Sequence, residues 1–164
     1  MTNTPIIFIL EDQQQKLQLI KEQARRYHPN CLFITANDQS SFEKKINWLR
    51  PDMIIASLSA PDYIGLEAFH YMEAYKWYTP FIYVADDINI HHLIQKTVLQ
   101  LADSYVFIHQ LHQLHDQIRN VVNQNQDQVI EATEKYKESS AQFLALQKRE
   151  ELALSTVTSS QTIN

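Results

Sequence analysis

Glu11 and Asp12 are adjacent acids that close the apolar run Ile6-Ile7-Phe8-Ile9-Leu10, and Ser57 closes a second run, Met53-Ile54-Ile55-Ala56. Acids at a strand end are either part of a site or simply solvated, because water meets the needs of an exposed carboxylate. A serine at such an end suggests a nucleophile, but a hydrolase serine sits in a G-x-S-x-G turn and none surrounds Ser57. His109, His112 and His115 recur every three residues, along one face at the start of a helix, and His91 and His92 open the stretch before them. Imidazoles so placed bind zinc or sense pH when other ligands complete the set. No cysteine or carboxylate does so in the sequence, so these residues read as a polar contact face. Cys31, the lone cysteine, lies in the apolar run Cys31-Leu32-Phe33-Ile34 and reads as a buried thiol rather than a redox centre.

The elements that must position these groups alternate in type. Ile6 to Leu10 reads as a strand buried on both faces. Leu17, Ile20, Ala24 and Tyr27 follow at helical spacing, with an apolar stripe for the sheet. Cys31 to Thr35 is the second strand. Ser40 with Glu43 fits a capping box that opens a helix carrying Phe42, Ile46 and Leu49 on one face. Met53 to Ala56 is the third strand, followed by a helix through Leu66, Phe69 and Met72. Phe81 to Val84 is the fourth, followed by a helix through Ile90, Ile94, Thr97 and Leu101, and Tyr105 to Ile108 is the fifth. Five strands alternating with helices imply a parallel α/β sheet covered on both faces.

Punctuation divides the chain. Gly65 is the only glycine, and no glycine or proline occurs from Phe81 to Asn164, so the second half can sustain long helices. Leu111, Leu114, Ile118 and Val121 or Val122 form the last helix of the domain. The stripe thins through Asn123 to Gln128 and resumes at Val129, Ala132, Tyr136, Phe143 and Leu146. Two readings fit: one long helix that pairs with a second copy, its register set by a polar layer, or a separate amphipathic helix folded back on the domain. Residues 1–122 are expected to form the domain, 123–154 a helical extension and 155–164 a loose polar tail.

With 164 residues, 45% hydrophobic and 20% charged, the chain supports an ordinary core. A formal net charge of -5 argues against a general nucleic-acid binder, which needs clustered Lys and Arg. No stretch approaches the ~20 apolar residues of a membrane span, and Met1 to Pro5 lacks the basic residues of a signal peptide. A cytoplasmic protein is expected.

The segment from Pro51-Asp52 through the apolar strand to Ser57 and on to Pro61 and Gly65 resembles the phosphorylation site of response-regulator receiver domains. The resemblance spans about Ile6 to Val122. It implies a flavodoxin-like doubly wound sheet of five parallel strands in the order 2-1-3-4-5, with function outside the carboxyl ends of the strands, and a C-terminal helical extension. It also implies that Glu11 and Asp12 stand where receivers bind magnesium. Receivers place the acceptor aspartate where this chain has Ser57, a threonine or serine where it has Ala85, and a lysine followed by proline where it has Ile108 and His109. Acceptor, hydroxyl and cation are therefore absent together. Magnesium prefers octahedral oxygen ligands, so losing one of three carboxylates implies weak binding at Glu11 and Asp12 at best, and no other cofactor. Tyr105 keeps the place of the receivers' switch aromatic.

These residues imply a non-catalytic pseudo-receiver that acts by contact with a signalling partner or with itself as a homodimer. His91, His92, His109, His112 and His115 lie on the face receivers use for contacts. The alternative is a divergent receiver still regulated by metal, ligand or phosphorylation at Glu11, Asp12 and Ser57. Phosphoserine at Ser57 would meet like-charge repulsion from both acids.

Overall fold

The computed structural model describes residues 4–59, 64–75, 78–86 and 100–160. In chain order the elements are β1 (Ile6–Leu10), α1 (Gln14–Tyr27), β2 (Leu32–Ala36), α2 (Gln39–Ile46), β3 (Met53–Leu58), α3 (Ile64–Ala74), β4 (Phe81–Ala85), β5 (Ser104–Phe107), a 3₁₀ segment (Ile108–Gln113) and α4 (Leu114–Ser160). The strands form one parallel sheet in the order β2-β1-β3-β4-β5, the doubly wound order expected. The expected helix through Ile90, Ile94 and Thr97 lies outside the described residues.

Side chains alternate across a strand, and here the alternation sorts the core into two layers. Ile7, Ile9, Met53, Ile55, Ile82 and Val84 face one side, against Leu17, Ile20 and Ala24 of α1 and Leu114, Ile118 and Val121 of α4. Phe8, Leu10, Ile54, Ala56, Phe81 and Tyr83 face the other, against Phe42 and Ile46 of α2 and Ala68 and Met72 of α3. Both faces of the central strands are covered, so β4, and β3 apart from Ser57, are continuous apolar runs rather than alternating ones.

Local details depart from the sequence reading in places. Asp38, not Ser40, caps α2: its Oδ1 accepts a hydrogen bond from Ser41 N–H at 2.7 Å. That bond satisfies a helix-start donor. The helix then ends at Ile46, and Leu49, expected on its buried face, lies beyond it and is exposed. Asp52 and Asp103 hold the amino edge of the sheet by accepting from the N–H groups of Ile6 and Phe81, each at 2.7 Å.

The chain divides into two units, 1–123 and 124–164. In the second, the described residues form a helix whose Val129, Ile130, Tyr136, Phe143, Leu144, Leu146, Leu152 and Leu154 are all exposed. Ser155 to Ser160, expected to be loose, are helical. Ser155 and Thr156 hydroxyls donate to the Leu152 and Ala153 carbonyls, which keeps local polar groups satisfied without breaking the helix. Among the described residues no helix is long and apolar enough to cross a membrane.

Gly65 is required for a packing reason. A Cβ there would collide with the carbonyl oxygen of Ser57 and crowd the Ala56 side chain. Backbone cannot yield as a flexible side chain does, so Gly65→Ala is expected to destabilise the domain by about 1–3 kcal/mol, the usual range for overpacking, read as a lower midpoint in urea denaturation.

Candidate functional site

The carboxyl edge of the sheet continues the same alternation. Glu11 follows Ile7 and Ile9 in parity, Ser57 follows Met53 and Ile55, and Asp86 follows Ile82 and Val84. Strand geometry therefore turns all three toward α1, while Ala85 belongs to the core layer on the other face. From α1 comes a residue that the sequence reading did not include. Lys16, in the first turn, is 5% exposed, and its ammonium reaches into this edge.

Lys16 Nζ donates to Ser57 Oγ at 3.0 Å, to Ser59 Oγ at 2.8 Å and to Asp86 Oδ1 at 2.6 Å. Glu11 Oε2 lies 3.5 Å away, an ion pair without a hydrogen bond. Ser57 and Ser59 share a further bond at 2.9 Å. An ammonium has three donors, and all three are used. The node joins β1, α1, β3 and the end of β4.

Glu11 is buried, so of the two readings of the acid pair the solvated one fails for it, whereas Asp12 is exposed as that reading expects. Glu11 Oε1 accepts from Gln13 N–H at 2.9 Å, which ties the carboxylate to the start of α1. Burial pushes its carboxyl above the ordinary glutamate value, and the Gln13 bond and the Lys16 charge only partly offset this.

The other predicted positions fall outside this node. Ala85 is buried and bears no polar atom for it, so the fourth strand's contribution comes instead from Asp86. Ile108 opens the 3₁₀ segment and packs against the α1-side core. Tyr105 is 44% exposed, its ring edge-on to Phe107 at 5.7 Å.

His109 stacks on Phe107, also at 5.7 Å, His112 is exposed, and His115 Nε2 lies 3.4 Å from Asp116 Oδ1. The helix expected to carry all three does not begin until Leu114. His109 and His112 lie in the 3₁₀ segment on either side of a kink at Gln110, so regular helical spacing does not set them on one face. His91 and His92 lie outside the described residues. Among the described residues no group of three metal-ligating side chains converges. Cys31 is a buried free thiol whose pKa burial raises.

Two signals for Lys16 were present in the sequence. A lysine in a first helical turn opposes the helix dipole, and no acid stands in that turn to offset it. Its compensating charges are Glu11 and Asp86, which strand parity points toward α1.

No protein-family model and no curated protein matches the sequence. Solved structures do. The receiver domain of the Francisella response regulator 1452 is 16% identical with TM-score 0.62, over 74% of this chain and 99% of that one. The phosphorylated cyanobacterial phytochrome response regulator RcpA is 21% identical with TM-score 0.57, over 71% of this chain and 91% of that one. A yeast Spc42 trimeric coiled-coil segment fused to another protein is 15% identical with TM-score 0.60, over 88% of this chain and 99% of that one. At these identities the likeness establishes the fold: this chain has the receiver fold.

The folded chain holds the Glu11 proton more tightly than the unfolded chain, where the ordinary value of 4.5 applies. Glu11 therefore favours folding most below that pH and progressively less as pH rises above it. Comparing urea midpoints of the wild type and Glu11→Gln across pH is expected to show the wild type losing stability relative to the variant as pH climbs from 4.5.

Proposed function

With the receiver fold as the premise, we propose that this chain is a signalling module that works by protein contact and takes no aspartyl phosphoryl group. The observation that carries the reading is the Lys16 ammonium, bonded to Ser57 at 3.0 Å in the acceptor position and to Asp86 at 2.6 Å beside it. A phosphoryl acceptor must be an exposed anion with a cation nearby. Here the acceptor position holds a hydroxyl that is 1% exposed and already bonded. Neither Ala85 nor Ile108 supplies a polar group to a transferred phosphoryl. The module is inferred to be non-enzymatic and cytoplasmic, with its conformation set by partners rather than by acyl phosphate.

Contact is assigned to two regions. In the second unit Val129, Tyr136 and Phe143 recur every seven residues, with Ala132 and Leu146 three residues after the first and the last, as paired helices require. All three large residues are exposed. The likeness of 88% of this chain to a trimeric coiled-coil fusion supports self-association. His109 and His112, with the exposed Tyr105 ring nearby in sequence, supply the second contact face.

One observation favours the alternative of a ligand-regulated pocket: Glu11 Oε2 is buried with no hydrogen-bond donor among the described residues. Incubation with acetyl phosphate and magnesium separates the readings. The intact mass is expected to stay unchanged, and a stable added phosphoryl group at or near Ser57 would sink the contact-only reading. Sedimentation tests the helix: the full chain is expected to self-associate and residues 1–123 to remain monomeric, and two monomers would rule out pairing.

A further inference from the structure

The resemblance to receivers implies a divalent cation at the carboxyl edge of the sheet, and the side chains present do not fit one. Apart from the exposed Asp12, a divalent ion held there would bind the oxygens of Glu11, Asp86 and Ser57. All three already face one positively charged nitrogen, at 3.5, 2.6 and 3.0 Å. We propose that the Lys16 ammonium is the resident cation of this pocket, a charge carried by the chain itself in place of an exogenous metal ion.

Three features carry the assignment. First, the oxygens around Nζ come from separate segments: Glu11 after β1, Ser57 and Ser59 at the end of β3, and Asp86 after β4. A bound cation gathers ligands in this way, whereas an incidental surface pair does not. Second, Lys16 turns inward. A lysine in a first helical turn at a domain surface can extend its stem and keep its charge in water. Here the side chain is 6% exposed and its ammonium is surrounded by protein oxygens. Third, the Glu11 side chain is completely buried, its Oε2 has no hydrogen bond among the described residues, and the Lys16 ammonium lies 3.5 Å from it. Removing one member of a buried charge pair leaves the other uncompensated, which is strongly destabilising. Without Lys16 the edge would therefore need a cation from solution.

The inference rests on the reading that the pocket takes no phosphoryl group, and its experiment reads cation dependence, so the two fail separately. A phosphorylated product would overturn the functional reading. The melting behaviour described next would overturn this one.

The thermal midpoint of the full chain is compared with that of Lys16→Ala in chelator alone, in magnesium chloride and in ethylammonium chloride, with sodium chloride matching ionic strength. Wild type is expected to melt at the same temperature in all three. Lys16→Ala is expected to melt several degrees lower in chelator and to regain part of the loss in magnesium or ethylammonium, because a ligand that binds only the folded state stabilises it. Lys16→Gln keeps a donor and most of the volume without the charge, and takes the place of Lys16→Ala if the shorter side chain prevents folding. Stabilisation of the wild type by magnesium beyond the sodium control overturns the proposal. So does a neutral variant as stable as wild type in chelator, or one that neither cation restores.

Discussion

Removing a lysine ammonium from water costs several kcal/mol unless protein oxygens replace its hydration shell, and the carboxyl edge of this sheet is organised around that requirement. Among the described residues four oxygens surround Lys16 Nζ, delivered by three segments: the ends of β1, β3 and β4. The geometry depends on close approach elsewhere. The lone glycine lets α3 pack directly against the Ser57 carbonyl, which fixes the end of β3. The Gln13 amide fixes the Glu11 carboxylate at the start of α1. The pocket and the packing of the sheet are in this sense one structure.

The opposite edge of the sheet uses acids differently. Asp52 and Asp103 accept backbone N–H groups at the starts of β1 and β4 and need no cation. At the carboxyl edge the strand ends present carbonyls rather than amides, and Lys16 stands beside the buried Glu11 carboxylate and the partly exposed Asp86. Receivers are implied to supply positive charge there with a metal ion and a lysine on the fifth strand. At the matching position this chain has Ile108, partly buried against the core, and a lysine stands on the first helix, Lys16. Where the resemblance implies acceptor, hydroxyl and lysine, this chain has Ser57, Ala85 and Ile108, and the cation proposed for its pocket is Lys16.

Much of this was legible in the sequence. Short apolar runs bounded by acids, prolines and a glycine defined five strands, and their alternation with amphipathic stretches defined the parallel sheet. The cap of α2 was misplaced because Asp38 and Ser40 both precede an apolar run, and only backbone geometry decides which side chain reaches the free N–H. The tail at Ser155 read as loose on composition, yet hydroxyls that bond back to carbonyls one turn earlier are compatible with helix. The site was half legible. Glu11 and Ser57 were found by resemblance, but Lys16 and Asp86 occupy positions to which that resemblance assigns no role. Strand parity and the wrong-sign charge in the first turn of α1 identify both, and those signals come from physics rather than from family pattern.

The central claim is that Lys16 is buried, charged and permanently engaged, and lysine-selective 15N labelling tests it most directly. A side-chain ammonium held by three oxygens exchanges its protons slowly enough to give a proton–nitrogen correlation, unlike the solvated lysines. The account predicts one such resonance, lost in Lys16→Arg and unchanged when magnesium and acetyl phosphate are added. A spectrum with no protected ammonium, or a signal that disappears when those reagents are added, would contradict it.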